Sequence, residues 1–207
     1  MPELDKIHLF RMTHIENIPH ILQFGITHSN SVNSNPNFKP IGDSSLISTR
    51  NSYALNNGKL LGEYIPFYFG TRTPMLYVVQ KGFNLVAPTP PEKIVYCVSS
   101  IQKIIDHNLD FIFTDGHAVD GFSSQYTISD INNINAIIDW NAVEAKYWNA
   151  ENDLDLKRRK EAEFLVLGDI SINAILEYIV YNKEAKNQLI GYGVNTTDIH
   201  IKSNFYF

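Results

Sequence analysis

The chain has 207 residues, 44% hydrophobic and 19% charged, which excludes a disordered chain and fits a folded globular protein. A formal net charge of −5 excludes attraction to duplex DNA by bulk charge, although a local basic channel remains open to it. The lone Cys97 excludes an internal disulfide and a cysteine-based zinc site.

Met1 to Arg11 has no apolar leader core, and no run is long enough to span a membrane. A cytoplasmic protein without membrane contact is therefore expected. Ile7 to Thr13 alternates and predicts a strand. Asn17 is placed to cap a helix carrying Ile18, Ile21 and Leu22, ending before Gly25. Thr27 to Pro40, rich in Ser and Asn, predicts a long loop, and a loop of this length in a compact domain is usually functional. Asp43 caps a helix expected from Ser44 to Arg50. Strands are expected over Pro66–Phe69, Met75–Gln80, Lys93–Val98 and Phe111–Phe113, with a helix carrying Ile101, Ile104 and Ile105 before the last of these. Asp120 to Glu161 predicts short helices, Asn141 to Tyr147 among them, between polar loops. Then come a strand over Ala162–Leu167 bounded by Gly168, a short helix over Ile170–Ile175, a strand over Glu177–Tyr181, a helix over Glu184–Leu189, and a terminal strand over Ile199–Phe207. The class is α+β in one domain, residues 1–207, with several short strands in two or more packed sheets and small helices between them.

Glu163 stands out because apolar logic does not call for a carboxylate at the start of a buried strand. Four cations, Lys157, Arg158, Arg159 and Lys160, run into that strand. On an extended segment about half of them would face one side, where they could bind phosphates. Glu161 shares a face with Glu163 but lies further out, so solvent should screen it. No nucleotide-binding glycine motif is present, and His14 and His20 are not spaced for a helical zinc site, so no metal is expected. His14, Asn17, Arg50, Tyr68 and Glu163 each have an ordinary structural explanation taken singly. Respectively these are a hydrogen-bonding histidine, a helix cap, a surface cation at a helix end, a core aromatic and a solvated strand end.

The order of these residues resembles the DarT family, bacterial toxins that transfer ADP-ribose from NAD⁺ onto bases of single-stranded DNA. The resemblance is carried by Ile7–Asn17, Ile41–Ile47 with Arg50, Tyr64–Gly70, Arg72, Pro74–Val78, Val95–Tyr96, Ser99–Ser100, Phe113–Ala118, Tyr147–Trp148, Arg158–Lys160 and Ala162–Val166. Glu161 stands where Gln or another polar residue would be expected. The resemblance implies an ADP-ribosyltransferase fold, two small antiparallel sheets around an NAD⁺ cleft. It implies that His14 and Asn17 hold the nicotinamide half of NAD⁺, that Tyr68 stacks near the nicotinamide ring, and that Glu163 is the catalytic glutamate. Residues 27–50 would cover NAD⁺ and bring Arg50 to the active site. There it would act by charge and orientation, a guanidinium being a poor general base. Residues 120–161 would read the substrate. Arg158, Arg159 and Lys160 are expected to bind the DNA backbone.

Thymine is expected as the acceptor ahead of guanine. A monomer is expected, with a macrodomain antitoxin as partner. Transfer to RNA or protein, plain NAD⁺ hydrolysis, and a catalytically silent binding module are the competing functions.

Overall fold

The computed structural model describes residues 2–84 and 86–207. The α+β class is what the chain forms. In order the elements are β1 (His8–His14), α1 (Ile18–Phe24), α2 (Ser44–Ser52), β2 (Tyr64–Tyr68), α3 (Pro74–Lys81), β3 (Ile94–Ser100), α4 (Ile101–Asp106) and β4 (Phe111–Thr114). They continue with β5 (Gln125–Tyr126), α5 (Ile134–Ile137), α6 (Trp140–Glu144), α7 (Leu156–Lys160), β6 (Glu163–Leu167), β7 (Glu177–Val180), α8 (Lys183–Gly191) and β8 (Ile199–Ile201).

The strands form one sheet in the order β5-β4-β6-β2-β1-β3-β7-β8, which corrects the expectation of two separate sheets. The separation is nevertheless almost made. β1 pairs with β3 along its whole length and β2 with β6 along its own, but β1 and β2 share a single register pair, Phe10↔Tyr68. Pro66 supplies a reason. Its carbonyl faces β1, where it accepts a hydrogen bond from Arg11 Nη1 at 3.0 Å, and beside it proline has no N–H to continue the ladder. The strands therefore part on one side of this pair, and a charged side chain replaces the missing backbone bond.

Both faces of the sheet are covered, so β3 is buried at every residue. On one face Leu9, Phe67, Val95, Cys97, Phe164 and Val166 pack with Ile18, Ile21, Ile101, Ile104 and Leu189 from the helices. On the other, Ile94, Tyr96, Val98 and Ile179 meet Leu76 and Val79 of α3. The Met75–Gln80 segment is thus a helix rather than the expected strand. Thr73 accepts the Leu76 N–H at its N-cap, Pro74 opens it, and Gly82 ends it at φ 74°. The expected terminal strand closes after Ile201. Beyond it the Tyr206 hydroxyl donates to the Ile94 and Ile179 carbonyls and pins the C-terminus under the sheet. Ile172–Ala174 is a single 3₁₀ turn instead of a longer helix.

Candidate active site

Glu163 opens β6 opposite Tyr68 of β2, and its side chain is completely buried. The backbone is set there by Thr114, whose hydroxyl accepts the Glu163 N–H at 3.2 Å. Three groups surround the carboxylate. Arg50 Nη1 lies 3.2 Å from Oε1 and 2.8 Å from Oε2, the Ala118 N–H donates to Oε1 at 3.0 Å, and His117 Nε2 stands 4.0 Å from Oε1. Arg50 reaches this point from α2, which Asp43 caps by accepting the Ser45 and Leu46 N–H groups. Its side chain is only 16% exposed, so it is not the surface cation its helix-end position suggested. Its Nη2 is buried and has no hydrogen-bond partner among the described residues. A buried guanidinium N–H without an acceptor is expensive, which points to a ligand oxygen as its missing partner.

A cavity of about 410 Å³ adjoins this group, within the range of small-molecule sites. Arg50, Tyr68, His117 and Arg11 line it, with Phe38, Pro40 and Ile41 of the long loop as part of its wall. Burial and the nearby Glu163 push the Tyr68 phenol well above its ordinary pKa, so it stays protonated. Burial likewise lowers the His117 imidazole against the opposing pull of Glu163, favouring the neutral ring. Arg11 is desolvated enough to bring its pKa down to about 10.

His14 and Asn17 do not line the cavity. Asn17 is fully engaged: its amide donates to Thr13 Oγ1 at 3.0 Å and to the Lys39 carbonyl at 2.9 Å, and accepts the Lys39 N–H at 2.9 Å. It anchors the wall-forming loop and makes no capping bond to α1. His14 Nδ1 accepts the Glu16 N–H at 3.2 Å, which makes it a local turn cap. The loop's other end is tied to the turn just after β6. Asp169 accepts the His28 N–H at 2.7 Å and the Ser31 hydroxyl at 2.5 Å. Gly25, at φ 78°, lets the chain press against the Ile170 carbonyl, which any side chain there would strike.

The basic tetrad is helical, which corrects the expectation of an extended strip. Arg158 binds Asp155, Asp115 and Ser123, while Arg159 binds Asp139, Asp153 and Asp155. Lys160 is 2% exposed and donates to the Val143 carbonyl at 2.9 Å, which leaves it out of reach of any phosphate. These cations hold the 115–155 segments around β6. Accordingly, Arg158→Gln with Arg159→Gln should lower the melting temperature clearly, while the salt dependence of single-strand binding shifts by less than the roughly 0.7 in log–log slope that one lost phosphate contact brings. Melting curves and salt titrations on the same preparation check both.

Glu161 is also misplaced by the sequence. It is 8% exposed, and burial raises its pKa to about 7 with Glu163 contributing in the same direction. The folded state therefore holds this proton more tightly than the unfolded chain, whose value is the ordinary 4.5, and stability falls as pH rises from about 4.5 to about 7. Glu161→Gln mimics the protonated form. It should match wild type near pH 4.5 and exceed it above pH 7, by at most about 3 kcal/mol, in denaturant melts across that range. It should retain substantial activity.

Two residues at the site, Arg11 and His117, carried no assigned role in the sequence. Their only signal was membership of the Ile7–Asn17 and Phe113–Ala118 blocks. Among the described residues no group of three or more His, Cys, Asp or Glu side chains could hold a metal ion, and no helix is long and apolar enough to cross a membrane.

Comparison with known proteins places this geometry. The family described as "ssDNA thymidine ADP-ribosyltransferase, DarT" matches over residues 10–207. A DNA ADP-ribosyl transferase of Escherichia coli O127:H6 is 31% identical across 98% of this chain and 94% of its own. A fusion of DNA ADP-ribosyl transferase with DNA ADP-ribosyl glycohydrolase from Thermosipho africanus is 33% identical over 76% of this chain and 38% of its own. Among solved structures, Thermus sp. 2.9 DarT in complex with ADP-ribosylated single-stranded DNA superposes with a TM-score of 0.84. It is 27% identical and covers all of this chain and 98% of its own. The same Thermus protein in complex with NAD⁺ superposes at 0.79, with 26% identity, covering all of this chain and 99% of its own.

Proposed function

This chain belongs to the DarT family, and from that membership and the site around Glu163 we propose that it moves ADP-ribose from NAD⁺ onto thymine in single-stranded DNA, releasing nicotinamide. The observation that carries the reading is the buried Glu163–Arg50 pair beside a cavity, with one guanidinium N–H left without an acceptor.

NAD⁺ is a co-substrate, and the residues fit it. Arg50 Nη2 and Arg11 are cations on the cavity wall suited to its phosphates or carbonyl oxygens, and Tyr68 offers an aromatic surface to a planar ring. The C1′–N bond to nicotinamide breaks through an oxocarbenium-like state, and nicotinamide leaves with the bonding pair as a neutral molecule. A carboxylate fixed in advance stabilises the positive charge as it forms, which is the role of Glu163. The new bond joins C1′ to a ring nitrogen of the acceptor. In a thymine nucleotide the one ring nitrogen bearing a proton is N3, so that proton must leave. The neutral His117 ring can accept it, and Glu163 at 4.0 Å then stabilises the imidazolium. That nitrogen is hydrogen-bonded in a duplex, so an unpaired strand is the natural acceptor.

The family's toxin role follows from modifying template bases, and a partner that removes the mark is expected with it. The Thermosipho relative, which joins a transferase to a DNA ADP-ribosyl glycohydrolase, supports such a pairing. The test is nicotinamide release from NAD⁺ in the presence of single-stranded DNA, duplex DNA, RNA or protein. Release stimulated by single-stranded DNA alone is expected. Stimulation by RNA or protein instead would replace the reading.

A further inference from the structure

Thr114 is the last residue of β4 and is completely buried. Directly after it comes the turn that brings His117 and Ala118 to the Glu163 carboxylate. The Thr114 hydroxyl is engaged twice. It accepts the Glu163 N–H at 3.2 Å and donates to the Gly116 carbonyl at 2.6 Å, with the Glu163 carbonyl a more distant alternative at 3.5 Å. A hydroxyl has one proton to give, and the short bond to Gly116 takes it.

The peptide between Gly116 and His117 is thereby fixed at both ends. Its carbonyl is held by Thr114, and its N–H, that of His117, donates to the Arg158 carbonyl of α7 at 3.0 Å. A peptide unit is planar, so holding its two ends sets the direction in which the His117 side chain leaves the backbone. One residue on, the Ala118 N–H returns to Glu163 Oε1 at 3.0 Å. The turn thus grips Glu163 twice, its backbone through Thr114 and its carboxylate through Ala118. His117 lies between, with Nε2 4.0 Å from Oε1. There is little slack here, since a side chain at Gly116 would press against Arg158 and Ser123.

We infer that Thr114 is a positioning residue for the acceptor half of the reaction: its hydroxyl locks the Gly116–His117 peptide so that the His117 ring faces the acceptor base beside Glu163. This inference rests on the proposed transfer, in which the proton leaving thymine N3 passes to His117 as the bond to C1′ forms. Glu163 depends on Thr114 less than His117 does, because β6 is also paired with β2 along its length. Loss of the hydroxyl should therefore act through His117. A hydroxyl that merely held the fold together would lower activity independently of that ring.

The test is a double-mutant cycle read by steady-state and single-turnover rates. His117→Ala should lose about 10²-fold or more. Thr114→Val should lose about tenfold or more in kcat, with KM for NAD⁺ and DNA little changed. The double variant should be no slower than His117→Ala, because the two residues act as one unit. Thr114→Ser, which restores the hydroxyl, should recover most of the loss. Melting curves accompany each variant, and if Thr114→Val does not fold, Thr114→Ala takes its place in the cycle. A second readout isolates the proton. In 5-trifluoromethyluracil the fluorinated group stands where thymine has its methyl and makes N3 more acidic by withdrawing electrons. That base needs less help to lose its proton, so the Thr114→Val loss should shrink on it by about threefold or more. A wild type that modifies no DNA, or His117→Ala at full rate, overturns the proposed transfer chemistry and this inference with it. Thr114→Val at the wild-type rate, a loss carried by KM, losses that multiply in the double variant, or a loss equal on both bases overturns this inference alone.

Discussion

Glu163→Gln should lose transfer by a factor on the order of 10²–10³, the usual cost of removing one preorganised electrostatic contact to a transition state. The amide keeps the shape of the carboxylate and can still accept the Ala118 N–H that now reaches Oε1 at 3.0 Å. What it cannot supply is charge opposite the developing oxocarbenium. Circular dichroism should show a folded protein, so the loss will sit in the chemical step. Single-turnover measurements with saturating NAD⁺ and DNA check this, and near wild-type turnover would end the assignment.

Arg50→Ala should fail in a different way. Removing it leaves a completely buried carboxylate beside a cavity with its ion-pair partner gone. Breaking a buried pair from one side typically costs about 3–5 kcal/mol, and the 16% exposure of Arg50 places it at the lower end, near 3 kcal/mol. Activity should fall along with stability, because the orphan Nη2 donor also disappears. Denaturant melts alongside kinetics separate the two effects. A stability change within the roughly 0.5 kcal/mol of a surface substitution would mean that the Arg50–Glu163 contact is energetically idle.

The parts of the fold that were legible in the sequence are those where local chemistry and burial agree. β1 announces itself by alternation, β3 and β6 as apolar runs, and α2 by the Asp43 cap. α3 was misread because Met75 to Val79 is rich enough in apolar residues to pass for a buried strand. Its helical signals, Thr73–Pro74 before and Gly82 after, are terminal and easily overridden. The basic tetrad misled for a different reason. The carboxylate partners of Arg158 and Arg159, Asp115, Asp139 and Asp153, are scattered along the chain, so only folding shows that these two charges are paired.

At the site, Glu163 was visible as a carboxylate without a reason to be buried. Asn17 was not readable as a loop anchor, because its partner Lys39 lies 22 residues away, across α1 and the long loop. His117 was equally opaque, since a histidine after Asp-Gly reads as a turn until the carboxylate beside it is seen. The single seam pair between β1 and β2 is the largest feature that no local pattern could reveal. On one side it is ended by one proline in β2, and there the cavity beside Glu163 opens.

The central claim is that this site joins ADP-ribose to thymine. It is tested most directly by mass spectrometry of single-stranded oligonucleotides that offer one base type each, incubated with NAD⁺ and the wild-type protein. One ADP-ribose should appear on the thymine-bearing strand, fragment ions should place it on the base, and nicotinamide should be released in equal amount. An adduct confined to the guanine strand, or nicotinamide released with no adduct on any strand, would contradict it.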